Sequence, residues 1–438
     1  MSVRRVLLVS GEPVGSRMAG VGIRYYHLAR ELAKSFQVTL LAPSADIAEA
    51  DGARIVTGRA SFATVKELAA RHDAVVAQHF GVRTMRHLAR APLRVIYDLY
   101  VPFVSENLAY HAAQGQSPFH RLSYRASDLL QSIALATGDA FICASERQRD
   151  LWLGRATLLE RVDVEHSRRD PSLRSLVEVV PVGLDERTPR QTRRVLKGVV
   201  PGIAERDRVL LWSGGVWNWF DPLTLIRAVE QLARRRDDVK LYFLGLRHPS
   251  PLVAEMEMAQ RAVALARELQ LEGRFVFFNF DWVPYEERAN FLLEADIGVS
   301  AHFDSLETRF AFRTRLLDHF WARLPSVVTR GDALAEVVER HTLGRTTGFE
   351  DVDSWVTAIE SLLDDDDEYG RVKANIEPIR AAFAWSNVAE PLVRLLAADS
   401  PSYAGSRAAA ALMRRYMRIQ AQVAVQNPSL VLHHLRAR

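Results

Sequence analysis

Short apolar, β-branched runs alternate with helix-spaced segments along this chain, and the alternation breaks off once and then restarts. In the first series, residues 6–9, 36–41, 55–56, 74–77, 94–98 and 140–144 read as strands. Between them, 21–35 and 62–71 carry apolar residues at helical spacing, with Ile23, Leu28 and Leu32 among them. The series closes on the Pro/Gly turn Val180-Pro181-Val182-Gly183 and a polar, Arg-rich stretch. Strands then recur at 208–213, 239–244, 274–278, 297–300 and 325–329, with helices at 222–235, 252–269 and 285–295. Strands alternating with helices imply parallel pairing with helices on both faces. A chain of 438 residues is also too long for a single core. The expectation is an α/β fold of two Rossmann-like domains, 1–190 and 191–390, followed by a helical tail over 391–438. Two such halves usually bind a ligand in the crevice between them, at the carboxyl ends of their strands.

Several function classes fall away on composition. The net charge of +4 is too weak to demand a nucleic-acid partner. The basic runs 190–197 and 234–236 adjoin acidic residues and lack interleaved aromatics, so they read as solvated faces. The single cysteine, Cys143, excludes an internal disulfide, fits a reducing compartment and lies in an apolar run that suits core packing. The first apolar run is too short for a signal peptide, and no stretch is long enough to cross a bilayer. A cytoplasmic protein is therefore expected. The basic amphipathic tail around Met413-Arg414-Arg415-Tyr416-Met417-Arg418 either packs back on the body or touches the inner face of an anionic membrane.

Two glycine loops mark candidate anion sites. Gly20 and Gly22 open a helix after the first strand, where free N–H groups suit a diphosphate; a simple tight turn is the alternative. In the second half Gly214-Gly215 ends a strand, with Trp217 and Asn218 just beyond. Trp217 and Trp219 could stack on a sugar or base ring, or pack on the following helix. The acidic pairs Asp351-Val352-Asp353 and the run 364–368 sit at helix ends, where acids cap helices or form solvated turns. Neither metal nor another cofactor is expected.

Taken in order, a set of segments resembles the retaining glycosyltransferases of family 4, the group 1 glycosyltransferases, whose architecture is GT-B: two Rossmann-like domains with parallel sheets facing across a cleft. The set comprises the glycine loop before Leu28-Ala29-Arg30-Glu31-Leu32, Ala144-Ser145-Glu146, Val180-Pro181-Val182-Gly183-Leu184-Asp185, Leu211-Trp212-Ser213-Gly214-Gly215 and Trp282-Val283-Pro284-Tyr285-Glu286-Glu287. It continues through Leu293-Glu294-Ala295-Asp296 and ends on Arg313-Thr314-Arg315-Leu316-Leu317-Asp318, with Pro325 beyond. The resemblance implies a nucleotide-diphosphate sugar as co-substrate and a glycan, lipid-linked or small-molecule acceptor. It implies retention of anomeric configuration, in polysaccharide, glycolipid or secondary-metabolite assembly.

The resemblance also assigns residues. Asp318, seven residues before Pro325, stands where the family binds the donor ribose, and a carboxylate can accept two hydrogen bonds from a vicinal diol. Phe310 replaces the family's earlier glutamate, and nearby Glu307 is the candidate to serve the donor sugar. The family's cations after the second glycine pair are missing, which leaves Arg313 and Arg315 for the phosphates, or for surface salt bridges. Asp98 ends the strand after which the family has a catalytic-side histidine, with Glu106 and His79 as further candidates in that half. Two other functions stay open: a GT-B sugar-nucleotide epimerase, and a catalytically inactive nucleotide-binding protein. The sequence is silent on oligomeric state.

Overall fold

The structure is a computed structural model that describes residues 4–113, 117–246, 256–398 and 407–426. It forms two compact units. The first comprises the chain up to Gly15, Val21–Pro181 and the segment from Ala389 onward; the second comprises Ser16–Gly20 and Val182–Val388. The chain thus changes units at Pro181, inside the Pro/Gly turn, and returns to the first unit at Ala389.

The first unit is built on β1 (Arg5–Val9), β2 (Gln37–Ala42), β3 (Glu49–Ala50), β4 (Ala53–Thr57), β5 (Ala74–Ala77), β6 (Arg94–Asp98), β7 (Ala140–Cys143) and β8 (Val177–Val179). Their order in the sheet is β3-β4-β2-β1-β5-β6-β7-β8. Only β3 runs antiparallel, against β4. Val6, Leu7 and Leu8 are fully buried because helices cover both faces, so β1 shows no polar alternation. Leu7, Val75, Phe141, Cys143 and Trp152 share one core cluster. Burial pushes the Cys143 thiol well above its ordinary pKa, so it stays neutral and packs as an apolar group.

The tail is not a separate body. Its helix, Arg407–Gln426, lies along the helix Pro118–Thr137, with Ile419, Leu412, Tyr416 and Val423 packed among Leu122, Ala126 and Leu129. Most of the remaining surface of this helix is polar or small, and Arg414, Arg415 and Arg418 are exposed.

The second unit holds β9 (Arg208–Trp212), β10 (Val239–Phe243), β11 (Val276–Phe278), β12 (Ile297–Ser300), β13 (Ser326–Thr329) and β14 (Gly344–Thr347). They form a sheet ordered β11-β10-β9-β12-β13-β14, parallel in every pairing. β14 was not anticipated, since Gly344-Arg345-Thr346-Thr347 has no apolar run. The helix expected over 252–269 is described as Glu257–Glu268; residues 252–255 lie outside the described chain. From β9 the chain proceeds outward to β10 and β11, then crosses back to β12 on the other side. The carboxyl ends of β9 and β12 therefore flank a topological switch point, where open parallel sheets leave room for a ligand.

Candidate functional site

At that switch point β9 runs into Ser213-Gly214-Gly215. Gly214 has φ +133°, a conformation that side chains other than glycine rarely adopt, so the turn there depends on it. The short helix Arg315–Trp321 presents Arg315 to this turn, and Arg315 Nη2 donates to the Gly215 carbonyl at 2.8 Å. The guanidinium lies over the rings of Phe220 and Trp212, 4.3 and 4.7 Å from their centres. Its Nη1 is buried with no hydrogen-bond partner. Burial, then repulsion from Arg313, brings the Arg315 pKa down to about 9, only partly offset by Asp318 and Asp332. A cation so destabilised is one that an incoming anion would relieve.

The helix is pinned from beneath. His319 bridges Ser213 Oγ at 3.0 Å and Ser326 Oγ at 3.1 Å, so it ties β9 to β13. Burial brings its pKa down to about 3, and the ring is neutral. Gly298 on β12 makes room for this ring, since a Cβ there would stand 2.4 Å from it.

Asp318 is three residues from Arg315, on the same helix face. Its side chain keeps 35% of its exposure, and one oxygen, Oδ1, accepts from Arg288 Nε at 3.2 Å. Withdrawal from bulk water raises the Asp318 pKa, while Arg288 and then Arg315 pull it back. Arg288 was missed in the sequence because an Arg after Glu286-Glu287 looks like an exposed helix residue. Only the fold carries it between Tyr285 and Trp321.

Arg313 and Glu307 are brought together, but with each other. Arg313 donates from Nη1 and Nη2 to the two Glu307 oxygens at 2.7 and 2.5 Å, and both side chains are buried. The pairing occupies the Glu307 carboxylate expected to serve the donor sugar, and it gives Arg313 the salt-bridge alternative to phosphate contact, buried rather than at the surface. Beside this pair lies a further buried polar group that the sequence reading overlooked. His302 Nε2 stands 3.5 Å from Asp332 Oδ2, too far for a good hydrogen bond, and neither atom has another partner. Burial holds His302 well below its ordinary pKa and pushes Asp332 up to about 6. Asp332 Oδ1 meanwhile caps the helix Ala333–His341 through the N–H groups of Leu334 and Ala335.

Trp217 stacks on Trp219, with ring centres 5.3 Å apart and planes 6° off parallel. Asn218 is used elsewhere than expected: its Oδ1 accepts from the Met258 N–H at 3.1 Å, in the first turn of the helix Glu257–Glu268. That contact caps a helix start and leaves less of the amide for a donor.

In the first unit two expectations are overturned by local pairing. The start of the helix Gly20–Ala33 is already supplied with an anion, because the Glu12 carboxylate accepts from the Val21 and Gly22 N–H groups. Burial raises the Glu12 pKa against those two hydrogen bonds. Gly20 and Gly22 therefore do not present an open phosphate cradle. Asp98, at the end of β6, is fully enclosed and accepts from Arg24 Nε at 2.7 Å and Nη2 at 3.1 Å. Arg24 also donates to the Val180 and Pro181 carbonyls at 2.9 Å each. With both oxygens engaged, Asp98 is a structural ion pair rather than a group open to substrate. His79 is exposed after β5, its ring 5.6 Å from that of Phe103, and Glu106 is half-buried in the helix Phe103–Ala113.

The acidic segments act as helix caps. Asp351 Oδ1 accepts from the Ser354 N–H at 3.0 Å, and Asp365 Oδ1 from the Glu368 N–H at 2.8 Å. Among the described residues no group of three or more His, Cys, Asp and Glu side chains could hold a metal ion. No described helix is long and apolar enough to cross a membrane.

Comparison with known structures defines the class of fold. The chain matches Anabaena HepE, solved in complex with UDP-glucose, with a TM-score of 0.63 at 14% identity, over 90% of this chain and 99% of that one. It matches WaaG, a glycosyltransferase involved in lipopolysaccharide biosynthesis, with a TM-score of 0.62 at 14% identity, over 90% of this chain and all of that one (100%). The fold is α/β of the GT-B class. Within it, residues 207–365, which hold Arg315, Asp318 and the Gly214-Gly215 turn, match the family described as glycosyl transferases group 1. A D-inositol 3-phosphate glycosyltransferase of Corynebacterium diphtheriae is 26% identical over 207 residues, which is 47% of this chain and 45% of that protein. The chain thus spans less than half the length of that relative.

Proposed function

We propose that the second unit binds the nucleotide end of a nucleoside-diphosphate sugar, and that the protein transfers the sugar to an acceptor. The observation that carries this reading is the buried, unpartnered Nη1 of Arg315 beside the Gly214-Gly215 turn at the sheet's switch point. Arg315 is assigned to the diphosphate and Asp318, three residues along the same helix face, to the ribose diol. As the glycosidic bond breaks, negative charge grows on the leaving phosphate, and a fixed cation in a poorly hydrated place stabilises it most there. The group 1 match over the same residues supports transfer, as does the UDP-glucose complex of HepE. A glycan, a lipid-linked saccharide and a small molecule are the acceptor classes to be tried.

A second reading, nucleotide binding without transfer, is favoured by one observation: both carboxylates first assigned to catalysis, Asp98 and Glu307, are closed in buried ion pairs. Incubation with UDP-, GDP-, ADP- and dTDP-linked sugars separates these readings. Acceptor-dependent release of a nucleoside diphosphate supports transfer. An epimerised nucleotide sugar formed without acceptor identifies an epimerase, and binding without turnover identifies a nucleotide-binding protein.

We propose further that the helix Arg407–Gln426 rests on an anionic lipid surface at the cytoplasmic face. Its exposed Arg414, Arg415 and Arg418, on a helix with no acidic residue, support this. Co-sedimentation with phosphatidylserine vesicles, but not with phosphatidylcholine vesicles, is the expected result. Equal sedimentation with both, or with neither, refutes it.

A further inference from the structure

We propose that Arg288 is a positioning residue for nucleotide recognition: it holds Asp318 in one orientation, with Oδ1 engaged and Oδ2 left to accept from the ribose. This rests on the assignment of Asp318 to the ribose, which the test below separates from it.

Arg288 is firmly held. An arginine side chain carries about 2 kcal/mol of rotamer entropy, and an exposed one surrenders little of it. Here the guanidinium carbon lies 3.5 Å from the centre of the Tyr285 ring and 4.3 Å from that of Trp321, so aromatic faces contact it from two residues. Nη1 donates to the Tyr285 carbonyl at 2.8 Å, which fixes the plane of the fork. The contacting rings are themselves fixed: Tyr285 is 7% exposed, and Trp321 Nε1 donates to the Arg187 carbonyl at 2.7 Å. On the other edge of the fork, Nε donates to Asp318 Oδ1. A cation stacked, hydrogen-bonded and only 12% exposed is an expensive arrangement for a surface ion pair worth little. It is a sensible one for aiming a carboxylate.

The charges around Asp318 give the device a second consequence. The groups facing it are Arg288, which opens the helix Arg288–Glu294, Tyr285 from the turn before that helix, and Arg315 from its own helix. Asp185 lies near Tyr285 and is itself paired with Arg187. His319 is neutral and turned to Ser213 and Ser326. Tyr285 is uncharged, its pKa raised by burial. With Arg288 gone, Arg315 alone opposes the effect of burial. Asp318 then takes up its proton at higher pH, and a protonated acid accepts poorly from a diol.

The test measures, by titration calorimetry between pH 5.5 and 8, the affinity of UDP, GDP and ADP and of their 2′,3′-dideoxy counterparts. For the base that binds, the wild type should prefer the ribonucleotide by about tenfold, the size of one hydrogen bond to a charged group. D318N should lose that preference at every pH. R288M, which keeps the packing against Tyr285 and Trp321, should lose it at low pH and recover part of it toward pH 8. R288K, which keeps the charge without the fork, should fall between wild type and R288M. Retention of the full preference by R288M across the range overturns the positioning role. Retention of it by D318N overturns the ribose assignment instead.

Discussion

Cutting Asp98 back to alanine removes the only carboxylate that hydrogen-bonds a fully buried guanidinium, through contacts of 2.7 and 3.1 Å. Arg24 would keep only the Val180 and Pro181 carbonyls, each at 2.9 Å, and would hold a net charge where neither side chain has any exposure. Breaking a buried pair from one side costs about 3–5 kcal/mol. The two surviving carbonyl contacts put D98A near the lower end, at about 3 kcal/mol. Replacing both partners together, as R24M with D98L, removes the stranded charge and should recover most of that loss. A double-mutant cycle on chemical denaturation measures the coupling. Because the chain has two units, unfolding is best followed by hydrogen exchange in peptides covering β6 and the helix Gly20–Ala33, so that the second unit does not blur the transition. If D98A unfolds within about 1 kcal/mol of wild type while turnover collapses, the pair is not structural and Asp98 acts on substrate.

Three further outcomes follow from the second unit. G298A places a Cβ 2.4 Å from the His319 ring, so it should destabilise by about 1–3 kcal/mol and weaken nucleotide binding by displacing the helix that carries Arg315 and Asp318; calorimetry reads both effects. Asp332, ordinarily near 3.8 and here near 6, keeps its proton longer in the folded state, so its contribution is full below about pH 4 and is lost as pH rises through 6. D332N should therefore gain on wild type by about 3 kcal/mol between pH 4 and pH 7, as seen in denaturant midpoints, although His302 acts with the opposite sign in both proteins. Substituting Asn218 with leucine should cost about 1 kcal/mol through the lost helix-start contact and leave nucleotide affinity unchanged; a large loss of affinity would return Asn218 to the donor site.

The fold was legible because the strands are short, apolar and buried on both faces, so runs such as Val6-Leu7-Leu8-Val9 and Ile297-Gly298-Val299 stand out against helical spacing. Strand β14 and the helix Pro118–Thr137 did not announce themselves, since one lacks an apolar run and the other mixes polar residues into most of its turns. At the site, Asp318 and Arg315 are legible because the resemblance to family 4 glycosyltransferases implies a carboxylate seven residues before Pro325 and a cation three residues before that. What spacing cannot show is which charges meet. Arg24 and Asp98 are 74 residues apart, yet each closes the other. Glu307 and Arg313 are near neighbours that could equally have pointed apart. Glu12 answers the N–H groups of the very glycine loop that looked open to phosphate. Arg288 is the converse case, a residue with an exposed-looking context that tertiary packing carries to the side of Asp318.

If Arg315 receives the diphosphate, losing its charge should weaken binding of a nucleoside diphosphate and spare the parent nucleoside. Titrating UDP and uridine (or the pair for whichever base binds) into wild type and R315M should show the diphosphate's advantage falling by about 10- to 100-fold in the variant, with nucleoside affinity unchanged. An undiminished advantage in R315M would mean that the phosphates lie elsewhere.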